Sequence, residues 1–268
     1  MIALTFGWKP GLALDVDYSR TVREEGARPG QARFGRRFRW TVEAVDGGLA
    51  VRPSDIVLVA TEDDRAPLVH RRFYDALIDA PPDLVVGADG RFLDLADPGA
   101  LAAAADISST TLRALPLDAR RVVAGLAHPE SLRSMARDLW TGLVQEWVAL
   151  GTVPQAPVVD TVPGQLPMIG VPARFVLTRT AESSPDGGVV LSVHTEPLAD
   201  DLTAALRGRP GPIRALHVDS RTTLHTDPET LVPRALEVRR RQEVAVEGAP
   251  SSGQLDVRTW RFRPATRR

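Results

Sequence analysis

Apolar and polar residues alternate with period two along the first 95 positions, the pattern of strands that bury one face and wet the other. Leu4, Phe6 and Trp8 share a face ahead of a Lys9-Pro10-Gly11 turn, and Leu12, Leu14, Val16 and Tyr18 share the next, opposite Asp15, Asp17 and Ser19. A polar loop at 24–31 leads to the longest alternation. There Phe34, Arg36, Phe38, Trp40, Val42 and Ala44 lie on one side, and Arg33, Arg37, Arg39, Thr41 and Glu43 on the other. Asp46-Gly47-Gly48 turns the chain into Leu49, Ala50 and Val51, and the unbroken apolar run IVLVA at 56–60 predicts a fully buried strand. Segment 68–79 fits a strand or a helix. DLVVGADGRFLDL at 83–95 predicts a hairpin that turns at Asp89-Gly90.

The period then changes to that of a helix over 97–151. Asp97-Pro98 opens a short helix through the alanines of 100–105, Ser108 and Ser109 cap a second near 110–126, and Pro129-Glu130 opens the longest, over 129–150. Leu132, Met135, Ala136, Leu139, Trp140, Leu143, Val144, Trp147 and Leu150 recur at helical spacing as one broad apolar stripe, closed by a Gly151 cap. A proline-rich linker follows. Strand patterns return at 173–181, 188–195, 212–224, 232–247 and 255–263, with a helix-like piece at 198–208. Within 232–247 the face carrying Leu236, Val238, Val244 and Val246 also holds Arg240 and Gln242.

Strands at 1–95, a helical block at 97–151 and strands at 173–263 predict an α+β fold. The expected form is a single domain in which a large curved antiparallel sheet, like a half-barrel, packs its apolar face on the helical block. The helix stripe needs a sheet face to cover it, and neither half offers a second helical layer.

Composition narrows the function. With 43% hydrophobic and 25% charged residues, the chain is of ordinary globular make-up. Its formal net charge of −1 gives no general pull toward nucleic acid or an anionic surface. Lys9 is the only lysine, so 32 of the 33 basic residues are arginine, scattered as codon bias would scatter them. The absence of cysteine excludes disulfides, thiolate metal sites and cysteine nucleophiles. No apolar run reaches the length of a membrane span, and the start MIALTFGWKPG reads as a strand, not a signal peptide. A cytoplasmic protein fits, as does a periplasmic or envelope protein whose leader has been trimmed.

No phosphate loop, nucleophile elbow or HExxH motif is present. Three histidines have a carboxylate two residues on: His194/Glu196, His217/Asp219 and His225/Asp227. On a strand, i and i+2 point the same way, so each pair presents an imidazole beside a carboxylate, which suits zinc, iron or manganese. The same alternation sets these pairs opposite Val189, Leu191, Val193, Leu216, Val218 and Leu224, on a face where polar residues are expected anyway. The metal site is therefore the alternative reading. The leading one is an apolar sheet face incompletely filled by the helix, on which Phe38, Trp40, Trp140 and Trp147 contact a lipid-like ligand. No catalytic residue and no cofactor is expected.

The stretches LTFGWKPGLALDVDY, RRFRWTVEAVDGGL and TTLHTDPETLVPRALEVRRRQEV flank the helical block. In this layout the chain resembles uncharacterised bacterial cell-envelope lipoproteins and, more distantly, the lipoprotein-localisation factor half-barrels. The resemblance implies a curled sheet around helices that shelters acyl chains, and a non-enzymatic partner of lipids or of another envelope component. It departs from that group in lacking the lipidation cysteine and the N-terminal helix.

Overall fold

The period-two segments form the strands of a very long antiparallel meander. The computed structural model describes residues 1–26, 29–63, 80–97, 113, 117–126, 128–154, 156–166, 170–207 and 213–265. The first half contains β1 (Ile2–Ala3), β2 (Ala13–Glu25), β3 (Gly30–Val45), β4 (Gly48–Asp63), β5 (Leu84–Gly87) and β6 (Phe92–Leu95). Helix α1 (Leu117–Leu126) follows. Helix α2 then runs from Pro129–Trp140 through a π-helical turn, Thr141–Gln145, into Glu146–Leu150. The second half contains β7 (Thr152–Val153), β8 (Val158–Gln165), β9 (Pro172–Ser183), β10 (Val189–Pro197), helix α3 (Ala199–Arg207), β11 (Ile213–Thr226), β12 (Pro233–Val246) and β13 (Ser252–Pro264).

Eleven of these strands make one sheet in the order β6-β5-β4-β3-β2-β13-β12-β11-β10-β9-β8, while β1 and β7 pair separately. The two halves meet where β13 lies beside β2, with Trp260 opposite Tyr18. The fold is thus mainly β, with one long helix on an antiparallel sheet. The short helices expected at 100–105 and the segment 68–79 fall outside the described residues.

Helix α2 shows how strongly the sheet bends. Gln145 Oε1 accepts from the Phe92 amide on β6 at 2.9 Å, and Glu146 Oε1 accepts from Arg179 Nε on β9 at 2.6 Å. Those strands are nine steps apart in the sheet order, about 43 Å if the sheet were flat. Neighbouring residues of one helix, itself about 10–12 Å wide, reach both. The sheet is therefore rolled into a trough with α2 lying in it.

The helix starts and stops where the sequence implies. His128 is its N-cap, with Nδ1 accepting from the Glu130 amide at 3.3 Å, and Gly151 caps the far end with φ +63°. Leu132, Ala136, Trp140, Leu143, Val144 and Trp147 are buried against the inner faces of β2, β3 and β10–β13.

Three expectations are corrected. The run 56–60 is a strand but not a buried one: Ile56, Val57, Leu58 and Val59 are 37–63% exposed. β5 pairs with β4 only from Gly48 to Val51, so this end of β4 has no strand on its outer edge among the described residues. The linker after α2 contains a strand, β8, at the sheet edge beside β9 alone. Pro163 masked it, and an edge strand tolerates the missing ladder donor. Residues 4–8, expected as a strand face, instead run as an extended strap across the β11–β12 turn. Thr5 and Gly7 donate to the Pro228 and Thr230 carbonyls at 3.0 Å each.

Candidate functional site

The trough has two ends of different character. At the near end the strands bring Leu14, Trp40, Leu191, Leu224, Leu236, Trp260 and Phe262 to the inner face, and α2 lies on them. Trp40 and Phe262 sit 5.7 Å apart between ring centres, Phe38 and Trp40 5.8 Å, and Trp8 and Trp140 5.1 Å edge to face. The strap closes this end, with Trp8 Nε1 donating to the Leu231 carbonyl at 3.2 Å and Trp140 Nε1 to the Gly90 carbonyl at 2.8 Å. Gly90 is tightly fitted: at φ +82°, a Cβ there would stand 2.8 Å from the Phe6 ring.

The four residues picked as ligand contacts all lie at this end. Phe38 is 5% exposed, and Trp40, Trp140 and Trp147 are 0% exposed. They are packed against one another and against the helix, and offer a ligand no surface. Composition singles out tryptophan as a binding residue, but a large ring on a helix stripe is first of all core material.

The far end begins where the inner face turns charged, in consecutive cross-strand rows. One row runs Arg20, Arg258, Val238, Thr222 and the next Val22, Asp256, Arg240, Ser220. Asp256 is buried and accepts from Arg20 Nε at 3.0 Å, Arg20 Nη2 at 2.9 Å and Arg258 Nη2 at 3.0 Å. Burial pushes the Asp256 carboxyl up, but the charge of Arg258 and the bonds and charge of Arg20 outweigh it and hold it below the usual range. Asp138 of α2 faces the same region, and there burial prevails and raises its carboxyl.

Beyond this belt the inner face carries a second apolar cluster: Leu166, Ala173, Leu216 and Val244, with half-buried Phe175, Val218, Leu202 and Leu206 against it. Helix α3 supplies the leucines, and Asp201 holds it to β9 by accepting from Arg174 Nε at 2.9 Å and Nη2 at 2.7 Å. The exposed end of β4 stands on the β6 side of the trough, level with the last near-end row, that of Trp260 and Leu236, and just short of the charged belt. Bulges re-aim it at Asp55, with φ +53°, and again beyond Leu58, as shown by the register breaks opposite Phe38 and Arg36. Leu58 pairs with Arg36 and so points inward, while Val57 pairs with Arg37 and points outward.

The histidine pairs all lie on the outer face. His194 on β10 meets Asp219 on β11, its Nε2 against Oδ1. His217 and His225 do not join them. They are eight residues apart on the same strand, roughly 27 Å at strand rise, too far to share an ion. Asp227 is a turn residue: its Oδ1 accepts from the Glu229 and Thr230 amides and the Thr230 hydroxyl, each at 3.0 Å. Glu196 is exposed, and among the described residues no group of three or more histidines and carboxylates is close enough to hold a metal. The six side chains proposed as ligands thus give one imidazole–carboxylate pair, a turn cap and separate surface groups.

Comparison with known proteins adds little. No protein-family model matches the chain, and no curated protein matches its sequence. A solved structure of lipovitellin, concerned with lipid–protein interactions, matches it with a TM-score of 0.45 and 10% identity. That match covers 97% of this chain and 26% of the lipovitellin chain, so this chain spans about a quarter of the protein it matches.

Proposed function

We propose that the protein is a non-enzymatic binder of a lipid-like ligand, held on the inner face of the curved sheet toward its far end, from the exposed end of β4 to the far apolar cluster, and not among the buried tryptophans. The observation that carries this is the run Ile56–Val59, four consecutive aliphatic residues 37–63% exposed on a bulged strand end. Leu58 alone stands 63% exposed on the trough side. Aliphatic surface left open to water forgoes about 25 cal/mol for every Å² that a ligand could cover, and Leu58 offers such surface to the trough. Leu58 lies in the cross-strand row of Arg36, Tyr18, Trp260 and Leu236, and the charged belt and then the half-buried Val218 and Phe175 follow farther along the trough. A place in the cell envelope, next to lipids, is the setting that suits such a ligand. It rests on the layout resemblance, and fractionation of the source cells tests it.

The test of binding uses N-phenyl-1-naphthylamine, an uncharged fluorophore that brightens in apolar sites. Wild-type protein is expected to enhance its emission, Leu58→Asp to lose the enhancement, and Val57→Asp, on the outer face of the same strand, to keep it. No enhancement by the wild type, or equal enhancement by Leu58→Asp, overturns the proposal.

A further inference from the structure

Arginine on an apolar face is expensive to keep, and the inner face of this sheet keeps several. Arg240 is the one whose charge is least answered. It lies mid-strand on β12, between Ser220 on β11 and Asp256 on β13. Asp256 already spends both oxygens on Arg20 and Arg258. The second carboxylate in range is Asp138, whose own ionisation burial opposes. Among the described residues no hydrogen bond or ion pair engages the Arg240 guanidinium. Desolvation first, and then the like charge of Arg258 and Arg20, lower its pKa against the attraction of Asp256 and Asp138. As a residue it is exposed, so a ligand can reach it. An accessible guanidinium without a direct partner gains from an arriving oxyanion, which its fork can hold through two charge-assisted bonds.

Its placement suits an amphiphile. One inner-face step beyond it are Gln242 and Val218, and the step after that brings Val244 and Leu216 of the far apolar cluster. The exposed end of β4 is four strand steps away, with Leu58 level with Leu236 and so four residues along from Arg240, roughly 20–25 Å in all, the scale of an extended long acyl chain. We propose that Arg240 is the headgroup contact of the far-end site, and that the ligand is an anionic amphiphile whose carboxylate or phosphate pairs with it. The chain of that amphiphile lies on the aliphatic walls. This inference rests on the far-end binding reading given above.

Displacement of N-phenyl-1-naphthylamine by dodecyl phosphate, laurate, dodecyl maltoside and inorganic phosphate separates the possibilities. Wild-type protein is expected to bind the two anionic amphiphiles about tenfold or more tightly than the uncharged maltoside. Arg240→Ala should abolish that preference, with an unchanged urea midpoint showing that the fold is intact, while Arg240→Lys restores part of the preference. A wild type without the preference, or a preference that survives in Arg240→Ala, overturns the headgroup assignment and leaves apolar binding standing. Inorganic phosphate as effective as dodecyl phosphate shows a simple anion site and overturns the amphiphile. No fluorophore binding at all overturns the far-end reading first, and this inference with it.

Discussion

Replacing Asp256 by alanine removes the carboxylate that two arginines share, and its cost follows from their geometry. Arg20 holds both oxygens, at 3.0 and 2.9 Å, and Arg258 holds one, at 3.0 Å. Side-chain exposure is 8% for Arg20, 11% for Asp256 and 20% for Arg258. Arg258 can turn partly toward water, but Arg20 cannot. Removing one member of a buried pair costs roughly 3–5 kcal/mol, since it strands the remaining charge. The partial freedom of Arg258 argues for the lower half of that range. For a chain of this size, with a urea slope of about 3 kcal/mol per molar, the midpoint should fall by about 1 M.

Two arms sharpen the test. Asp256→Leu combined with Arg20→Met removes anion and cation together and should recover much of the loss, because matched apolar replacement of a buried pair is often close to neutral. The pH arm follows from the sign of the shift. The carboxyl of folded Asp256 is held below its unfolded value. Its contribution is therefore fully present above the unfolded range near pH 4, and is lost as pH falls through the lower folded value. The gap in urea midpoint between wild type and Asp256→Ala should be widest at pH 7 and narrow as pH falls toward 3. A midpoint change below about 0.3 M at pH 7, which corresponds to less than about 1 kcal/mol on the same slope, would refute the reasoning.

Three further outcomes are expected. Trp140→Ala empties a fully buried ring site beside Trp8 and Phe6 and should cost about 3–5 kcal/mol in chemical denaturation. Asp201, lowered to about 2 by its bonds to the Arg174 side chain and amide, should titrate near that value by carboxyl NMR and move toward 3.8 in Arg174→Gln. Its hold on α3 is present above the unfolded range and lost as pH falls through about 2. Gly90→Ala meets both the Phe6 ring and a positive φ, and should destabilise by about 1–3 kcal/mol with the near-end strap loosened, read as faster exchange of the Gly7 amide.

Much of the fold was legible because period two is a direct imprint of the pleat. β2, β3, β9–β13 and the hairpin β5–β6 lie close to where alternation placed them, and the apolar stripe of 129–150 became α2. Alternation also put Arg36 and Arg240 on apolar faces, where the structure keeps them. The site was less legible. Phe38, Trp40, Trp140 and Trp147 were chosen by residue type, which does not distinguish a ring that packs from a ring that waits for a ligand. Ile56–Val59 was misread because a continuous apolar run states only that residues avoid water, not whether a neighbouring strand covers them.

What the sequence determined by itself is therefore local: which segments extend, which coil, and which residues of each share a face. That information is carried by the fixed geometry of strand and helix within a few residues. What only the tertiary structure decided is non-local. The bend of the sheet brings two far strands onto adjacent residues of α2. The meeting of Arg20, Asp256, Arg258 and Arg240 depends on β13 crossing the whole chain to lie beside β2. Among the described residues, the pairing of β5 with β4 stops at Val51, and Ile56–Val59 beyond it are exposed. Strand order and register join residues more than two hundred positions apart, and no local period encodes them.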